Sequence, residues 1–458
     1  MKFLRNTALA LLAAGLPLAA YAQAPALTTF PVGTATVTAS ALTTGLDHVW
    51  ELVWGPDNFL WMTERGGRIS RVNPATGQVL PLLTLPDVTP TGESGLLGMA
   101  LHPDFATTPH VFVVYNYTDA GSLKEKVVRY TYSAAANSLT APVVVLGNIP
   151  ATTTHSGSRL LILPDRTLLV TTGDAQMLPE AQNRASLNGK ILRLNLDGTV
   201  PADNPTAGSM VYTLGHRNPQ GLVRLPDGRL YSSEHGPSND DEINKIEPNR
   251  NYGWPNVEGA CDLPGEAAFC AANNVREPLT TWTPTIAPAG LTYYDHPAIP
   301  GWRGSLLLAT LKNQQLVQLP LNAAGDAITA RPVFLTSAFG RLRAICVSPE
   351  GRVYLGSSNG GSDRILTLEN RAFVASATRA ANAFAFDLFP NPARRQATLR
   401  LPMANARVTV RDLLGRAVLT LPRAGTTAVL DLTGLRAGSY SVQVEGAAGS
   451  ATRQLLVD

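Results

Sequence analysis

Residues Leu225–Gly236 read LPDGRLYSSEHG: a Pro-Asp-Gly turn, a short run with an apolar-polar beat, and a polar tail. Pro226 presets its φ for a turn and Asp227-Gly228 completes it, while RLYSSE has the length and composition of a strand. The phrase recurs as GPDNFLWMTERGG from Gly55, HPDFATTPHVFVVYN from His102, LPDRTLLVTTGD from Leu163 and SPEGRVYLGSSNGG from Ser348. WRGSLLLATLKNQQL from Trp302 is a degenerate copy. The copies lie roughly 45 to 75 residues apart, slightly above the usual period of a propeller blade. No long helical periodicity intervenes. Six such units predict an all-β fold, a six-bladed β-propeller, in which antiparallel sheets surround a channel and loops distant in sequence converge at one end. A β-sandwich or a barrel uses the same composition but does not account for a repeated phrase.

The chain has 458 residues, enough for two or three domains. Its net charge of +3 comes with scattered arginines and no basic run, which argues against a nucleic-acid partner. The first residues, MKFLRNTALALLAAGLPLAAYAQA, carry Lys2 and Arg5, an apolar run from Ala8 to Ala20, and Ala20-Tyr21-Ala22 as an A-x-A site. That pattern predicts a secretory signal peptide over 1–22. No later apolar stretch is long enough to span a bilayer, so the mature protein is expected to be exported and soluble. Export permits disulfides. Cys261 and Cys270, which close CDLPGEAAFC, are the expected pair, and Cys346 in RAICVSP reads as a buried thiol. There is no Cys-x-x-Cys metal pattern.

The propeller is expected over 27–370 and an Ala-rich linker over 371–385. Residues 386–458 then alternate apolar and polar residues between Pro and Gly turns, the pattern of a small β-sandwich. This tail resembles the type A C-terminal sorting domain of the type IX secretion system of the Bacteroidetes. The matching residues are Phe389-Pro390-Asn391-Pro392, Val410-Arg411-Asp412-Leu413-Leu414-Gly415-Arg416, Leu435 and Gly438-Ser439-Tyr440. The resemblance implies the type IX machinery as a partner, and delivery through the periplasm to the cell surface or the medium. The residue pattern alone also suits a carbohydrate-binding or adhesive module.

Within the propeller, the segments that carry chemistry are GESGLLGMALHPDF, HSGSRL, TTGD, GHRNPQG, EHGPSNDDEIN, APAGLTYY, LKNQQL and GRLR. In GHRNPQG, Pro219 fixes its own φ and pushes Asn218 out of the helical region, so the loop holds His216, Arg217, Asn218 and Gln220 at set angles. Lys312 is one of only six lysines and sits inside an apolar strand phrase. With Arg341 and Arg343 it forms a set of cations suited to a ligand bearing several carboxylates. Gly236 and Pro237 can offer backbone carbonyls to a hard cation, and Asp241 and Glu242 further oxygens, at a spacing that is not an EF-hand. His155, in a loop before a strand, can serve as a general base near neutral pH. His48, His102, His110 and His296 read as structural.

These phrases, in this order from about Leu46 to Leu368, resemble the soluble quinoprotein sugar dehydrogenases, in particular their aldose dehydrogenase branch. VWGPDNFLWMTERGGRISRVNPATG, GLLGMALHPDF, GHRNPQGL, SSEHGPSNDDEINKI and NYGWPNV carry the resemblance. It implies a six-bladed propeller, pyrroloquinoline quinone (PQQ) and Ca2+ as cofactors, an aldose substrate oxidised at C1 to a lactone, and an external electron acceptor. It also assigns roles. His155 aligns with the base at the sugar C1 hydroxyl, and Arg217 with the arginine beside the quinone carbonyl. Glu93, Asn218 and Gln220 align with polar contacts around the cofactor, and Lys312, Arg341 and Arg343 with the groups that hold its carboxylates. Gly236 and Pro237 align with the carbonyls of the cofactor's calcium, and Asp241, Glu242 and Tyr252 with a second, structural calcium. Two positions depart from the pattern. Thr154 stands where glucose-oxidising members carry an acidic residue, leaving open what orients His155, and Glu93 stands where some members have Gln. The short sugar-binding loops point to a broad aldose range.

Two other readings use the same scaffold. A propeller lactonase needs several carboxylate and amide side chains around one central metal, a set the sequence does not supply. A non-catalytic binding propeller has no need of His155, Arg217, Lys312, Arg341 and Arg343 together.

Overall fold

The computed structural model describes residues 24–373, 384, 386–412, 416–446 and 449–458. The expected signal peptide, most of the expected linker and Leu413–Gly415 of the sorting motif lie outside the described residues. The chain divides into two compact units, 1–372 and 373–458.

The first unit contains six antiparallel sheets in chain order. Their leading strands are Val49–Trp54, Leu96–Leu101, Gly157–Ile162, Pro219–Arg224, Pro288–Tyr294 and Leu342–Val347. Each leading strand contacts the leading strand of the next sheet, and the sixth contacts the first, so the six form a closed ring. These inner strands are nearly fully buried, with VWEL at Val49–Leu52 and LLGMA at Leu96–Ala100 as examples. Backbones approach closely where they meet: a Cβ on Gly221 would lie 2.6 Å from the Ala289 carbonyl oxygen, and one on Gly290 2.4 Å from that of Arg343. In both places the third residue of one inner strand faces the second residue of the next. The starting ends of the inner strands gather at one end of the ring, where Glu93, His155, Asn218 and Ala287, each just before an inner strand, line one cavity.

The repeated phrase is the turn from inner strand to second strand. Its acidic residue ties the turn. Asp57 Oδ1 accepts the Trp61 indole N–H at 3.1 Å, Asp165 Oδ1 the Thr167 N–H at 3.0 Å, and Asp227 Oδ1 the Arg229 N–H at 3.0 Å. In the second sheet His102 does this work, its Nδ1 accepting the Asp104 N–H at 3.1 Å. Apolar faces of neighbouring sheets then pack between them. Trp61 and Phe105, for instance, meet edge to face at 5.4 Å.

Five of the six sheets have four strands, and the sixth has five. Its last three strands, outward from the centre, are Asp363–Glu369, Ala35–Leu46 and Ala26–Val32, so the N-terminal segment completes the sheet begun by the C-terminal one. This seals the ring with long-range backbone hydrogen bonds in place of an open edge.

The second unit holds a three-stranded and a four-stranded antiparallel sheet. Leu388, Leu399 and Leu430 from one share a buried core with Val408, Val410, Val442, Val444 and Leu455 from the other. Cys261 and Cys270 are disulfide-bonded around a short helix, Glu266–Ala272, and Cys346 is a buried free thiol. Among the described residues no helix is long and apolar enough to cross a membrane.

Candidate active site

The loops entering the inner strands and those leaving the second strands meet at one end of the ring around a cavity of about 200 Å3. Glu93, His155, Arg217, Asn218, Gly236, Pro237 and Asp241 all line it, together with His235, Thr285 and Ala287.

His155 Nδ1 lies 2.8 Å from Asp174 Oδ1, and the Asp174 carboxylate is fully buried. An imidazole that gives its Nδ1 proton to a carboxylate keeps Nε2 as the basic nitrogen. Asp174 is itself fixed: Oδ1 accepts the Gln176 N–H at 2.8 Å and Oδ2 the Trp254 indole N–H at 2.8 Å. The question raised by Thr154 is thereby answered, because orientation comes from Asp174. The Thr154 hydroxyl instead accepts a hydrogen bond from the Gln176 side chain at 2.7 Å.

Glu234 shapes the GHRNPQG loop. Its carboxylate accepts the backbone N–H groups of Arg217 and Asn218 and pairs with His216 Nδ1 at 2.8 Å. The Arg217 guanidinium then lies 5.4 Å from the Trp254 ring centre, within cation–π range, and donates to the His235 carbonyl at 3.2 Å. Burial pulls its pKa below the ordinary arginine value, against the pull of Asp174, Glu234 and Glu93. Asn218 donates from Nδ2 to Glu93 at 3.3 Å, and its Oδ1 accepts from Gln220 at 3.0 Å. Gln220 Oε1 in turn accepts from the Arg343 guanidinium at 2.7 Å. Arg343 is buried, 5.6 Å from the Trp50 ring centre, with no carboxylate in ion-pair range among the described residues. Burial pushes its pKa down to about 9. For Glu93, burial alone would raise the carboxyl; the cationic surroundings, Arg343 among them, outweigh it and hold it below the usual range.

Gln220 and Arg343 do not line the cavity, and neither do Lys312 and Arg341. The last two are exposed, Lys312 donating at 2.7 Å to Thr285 Oγ1, which does line it. Asp241 and Glu242 face different hollows. Asp241 accepts the N–H groups of Gly236, Ile286 and Ala287 at 2.9, 2.5 and 2.7 Å. Glu242 and Tyr252 line a second hollow of about 10 Å3, with Glu234, Asp240 and Glu258 and with one cation, Arg217. That is room for about one water-sized particle. Burial, then the neighbouring Glu234, raises the Glu242 carboxyl well above normal, so a cation would suit this hollow. The Tyr252 hydroxyl is committed to backbone, donating to the Lys245 carbonyl and accepting the Glu247 N–H.

The family model for glucose/sorbosone dehydrogenases matches residues 46–367. The chain belongs to that family. A secretion-system C-terminal sorting domain matches residues 387–458. The protein is 33% identical over 387 residues to quinoprotein glucose dehydrogenase B of Acinetobacter calcoaceticus, covering 66% of this chain and 81% of that one. It is 31% identical over 335 residues to the aldose sugar dehydrogenase YliI of Escherichia coli, covering 70% and 90%. The PQQ-bound aldose sugar dehydrogenase of Streptomyces coelicolor superposes with a TM-score of 0.64 at 36% identity, over 73% of this chain and 98% of that one. The fold is the propeller of the quinoprotein sugar dehydrogenases, and the tail is a type IX sorting domain.

A quinoprotein cofactor can be tested against the residues present. Arg217 Nε and His235 Nε2 are buried and have no hydrogen-bond partner among the described residues. Unsatisfied donors and an uncompensated guanidinium beside one cavity suit an anionic group rich in carbonyl and carboxylate oxygens. The residues fit such a group. The sequence reading passed over Asp174, Glu234, His235 and Trp254, although TTGD, SSEHG and NYGW were in view. An acidic residue at a strand end reads as a turn cap, and only the fold shows which strand ends face the cavity.

Proposed function

We propose that this family member is an exported, PQQ-dependent aldose dehydrogenase that oxidises sugars at C1 to lactones and passes electrons to an external acceptor. The observation that carries the reading is the meeting, on one cavity, of a carboxylate-held His155 with the half-buried Arg217, backed through Asn218 and Gln220 by the buried Arg343, neither guanidinium being in ion-pair range of a carboxylate among the described residues. In this reading the ring of sheets is a six-bladed propeller over 27–370. Residues 371–385 are a linker, 386–458 form a β-sandwich that directs type IX secretion, and 1–22 are a signal peptide.

When bound, PQQ supplies the acceptor for the hydride leaving C1. His155 Nε2 takes the proton of the C1 hydroxyl, and Asp174 stabilises the imidazolium that results. Arg217 faces the place where negative charge develops, held there before reaction by Glu234 so that little reorganisation is needed. Arg343, with Lys312 and Arg341 nearer the surface, binds cofactor carboxylates. Glu93, Asn218 and Gln220 hold the polar register between Arg343 and the cavity. Gly236 and Pro237 offer backbone oxygens to the cofactor's calcium, and the acidic hollow around Glu242 and Tyr252 suits a structural one.

Dye reduction by the purified full chain, with PQQ and Ca2+ added and a panel of aldoses, tests the reading. Aldose-dependent reduction that needs both additions supports it. A wild-type protein that binds no PQQ overturns it.

A further inference from the structure

Gly173–Gly189 joins the second and third strands of the third sheet, and it touches both reactive loops. At its start, Asp174 holds His155 and donates its own N–H to the Arg217 carbonyl at 2.8 Å. In its middle, the Ala181 carbonyl accepts the Gly215 N–H at 2.9 Å, and Gln182 donates to the Trp254 carbonyl at 2.7 Å. At its end, Gly189 donates to the Gly173 carbonyl at 2.8 Å and accepts the His216 N–H at 3.2 Å. A stretch with so little regular structure needs something to keep these ends together.

Lys190 is placed to do so. It is completely buried, and no carboxylate lies in ion-pair range of it among the described residues. Its ammonium donates to three backbone carbonyls: Glu180 at 2.6 Å, Ala181 at 3.0 Å and Asn188 at 2.6 Å. An ammonium has three donors, and all three are used. Inward-turned carbonyls around one positive centre are what proteins also use for a bare monovalent cation. Burial pulls the Lys190 pKa down to about 7, so holding a charge here depends on these contacts. The Ala181 carbonyl serves both Lys190 and Gly215, so the cage is continuous with the Arg217 loop.

We propose that Lys190 is a built-in monovalent cation that locks Gly173–Gly189 into one unit, and is thereby a positioning residue for the His155–Asp174 pair and for Arg217. The catalytic part of this rests on the dehydrogenase reading, and the cation cage does not. Lys190 does not line the cavity, so its loss should displace reacting groups without removing any.

The test uses the full chain as Lys190→Ala and Lys190→Met, in ammonium chloride or in tetramethylammonium chloride at equal ionic strength. Melting of the cofactor-free protein and kcat and KM of the reconstituted enzyme are read in each salt. Both variants should melt lower and lose up to about 100-fold in kcat with little change in KM, as expected for misplacement. Ammonium should enter the hole in the Ala variant and restore melting and kcat, whereas tetramethylammonium is too large. The Met variant, its space filled, should gain from neither. An Ala variant that refolds only in ammonium supports the cage equally. A Met variant with wild-type melting and kcat overturns the proposal, as does an Ala variant that responds alike to both salts or to neither. If wild type shows no PQQ-dependent turnover, the dehydrogenase reading fails, while the melting measurements still decide the cage.

Discussion

Two histidines in this protein pair with a carboxylate at the same 2.8 Å, and the structure gives them opposite uses. His155 gives one nitrogen to Asp174 and lines the cavity. His216 is fully buried, gives Nδ1 to Glu234 and Nε2 to Thr213 at 2.8 Å, and stacks on Tyr252 with ring centres 4.6 Å apart. The first has a nitrogen to spare; the second has none and acts as a peg. A histidine–carboxylate pair is therefore no sign of catalysis in itself. What matters is whether the second nitrogen meets a cavity or another protein group.

The largest expected effect breaks the first pair. His155→Ala should lower kcat by about 100- to 10,000-fold, the range for losing a general base, while PQQ binding stays near wild type. Asp174→Asn keeps the shape but removes the charge that orients the imidazole and stabilises its protonated form. A loss of roughly 100-fold in turnover is expected, smaller than for His155 because the base remains. Turnover at the wild-type rate would show that Asp174 only props the loop.

His216→Ala should reverse the profile. Leaving Glu234 and Thr213 partly unpaired in the interior costs about 1–3 kcal/mol of stability, seen as a lower denaturation midpoint. Its kinetic cost should be milder than that of Asp174→Asn and should come with weaker PQQ binding, because Glu234 also holds the Arg217 backbone. A rate loss equal to that of His155→Ala would erase the distinction between base and peg.

The smallest effect concerns a buried carboxyl with no cation beside it. Among the described residues Glu125 meets only neutral partners, Ser158 at 2.7 Å and Asn116 at 3.4 Å, and burial raises its pKa from 4.5 to about 8. The folded protein therefore holds this proton where the unfolded chain has released it. Wild-type stability should fall, through this group, as pH rises from about 4.5 to about 8. Glu125→Gln should melt like wild type at the acid end of that window and above it at the alkaline end. Equal melting throughout would mean that Glu125 is ionised in the fold.

Much of this was legible in the sequence, because a propeller writes its turn once per sheet. The Pro-Asp-Gly phrase marked the passage from first to second strand, and GHRNPQG showed its own shape through Pro219 and its flanking glycines. The pairing of Ala35–Leu46 with Asp363–Glu369 left no local sign, since a strand carries no mark of a partner more than 300 residues away. Arg343 was legible as one of a set of cations with Lys312 and Arg341, though not as the buried one. Asp174 and Glu234 were not, because their meaning lies in what stands across the ring. Nothing in NGKILRLN sets Lys190 apart, and only burial and three carbonyls distinguish it.

The most direct test mixes PQQ-loaded protein with an aldose in a stopped-flow instrument and follows cofactor absorbance in wild type and His155→Ala. Rapid cofactor reduction is expected in wild type and a rate at least about 100-fold lower in the variant, with the same amount of cofactor bound to each. Cofactor reduction in His155→Ala at the wild-type rate would contradict that expectation.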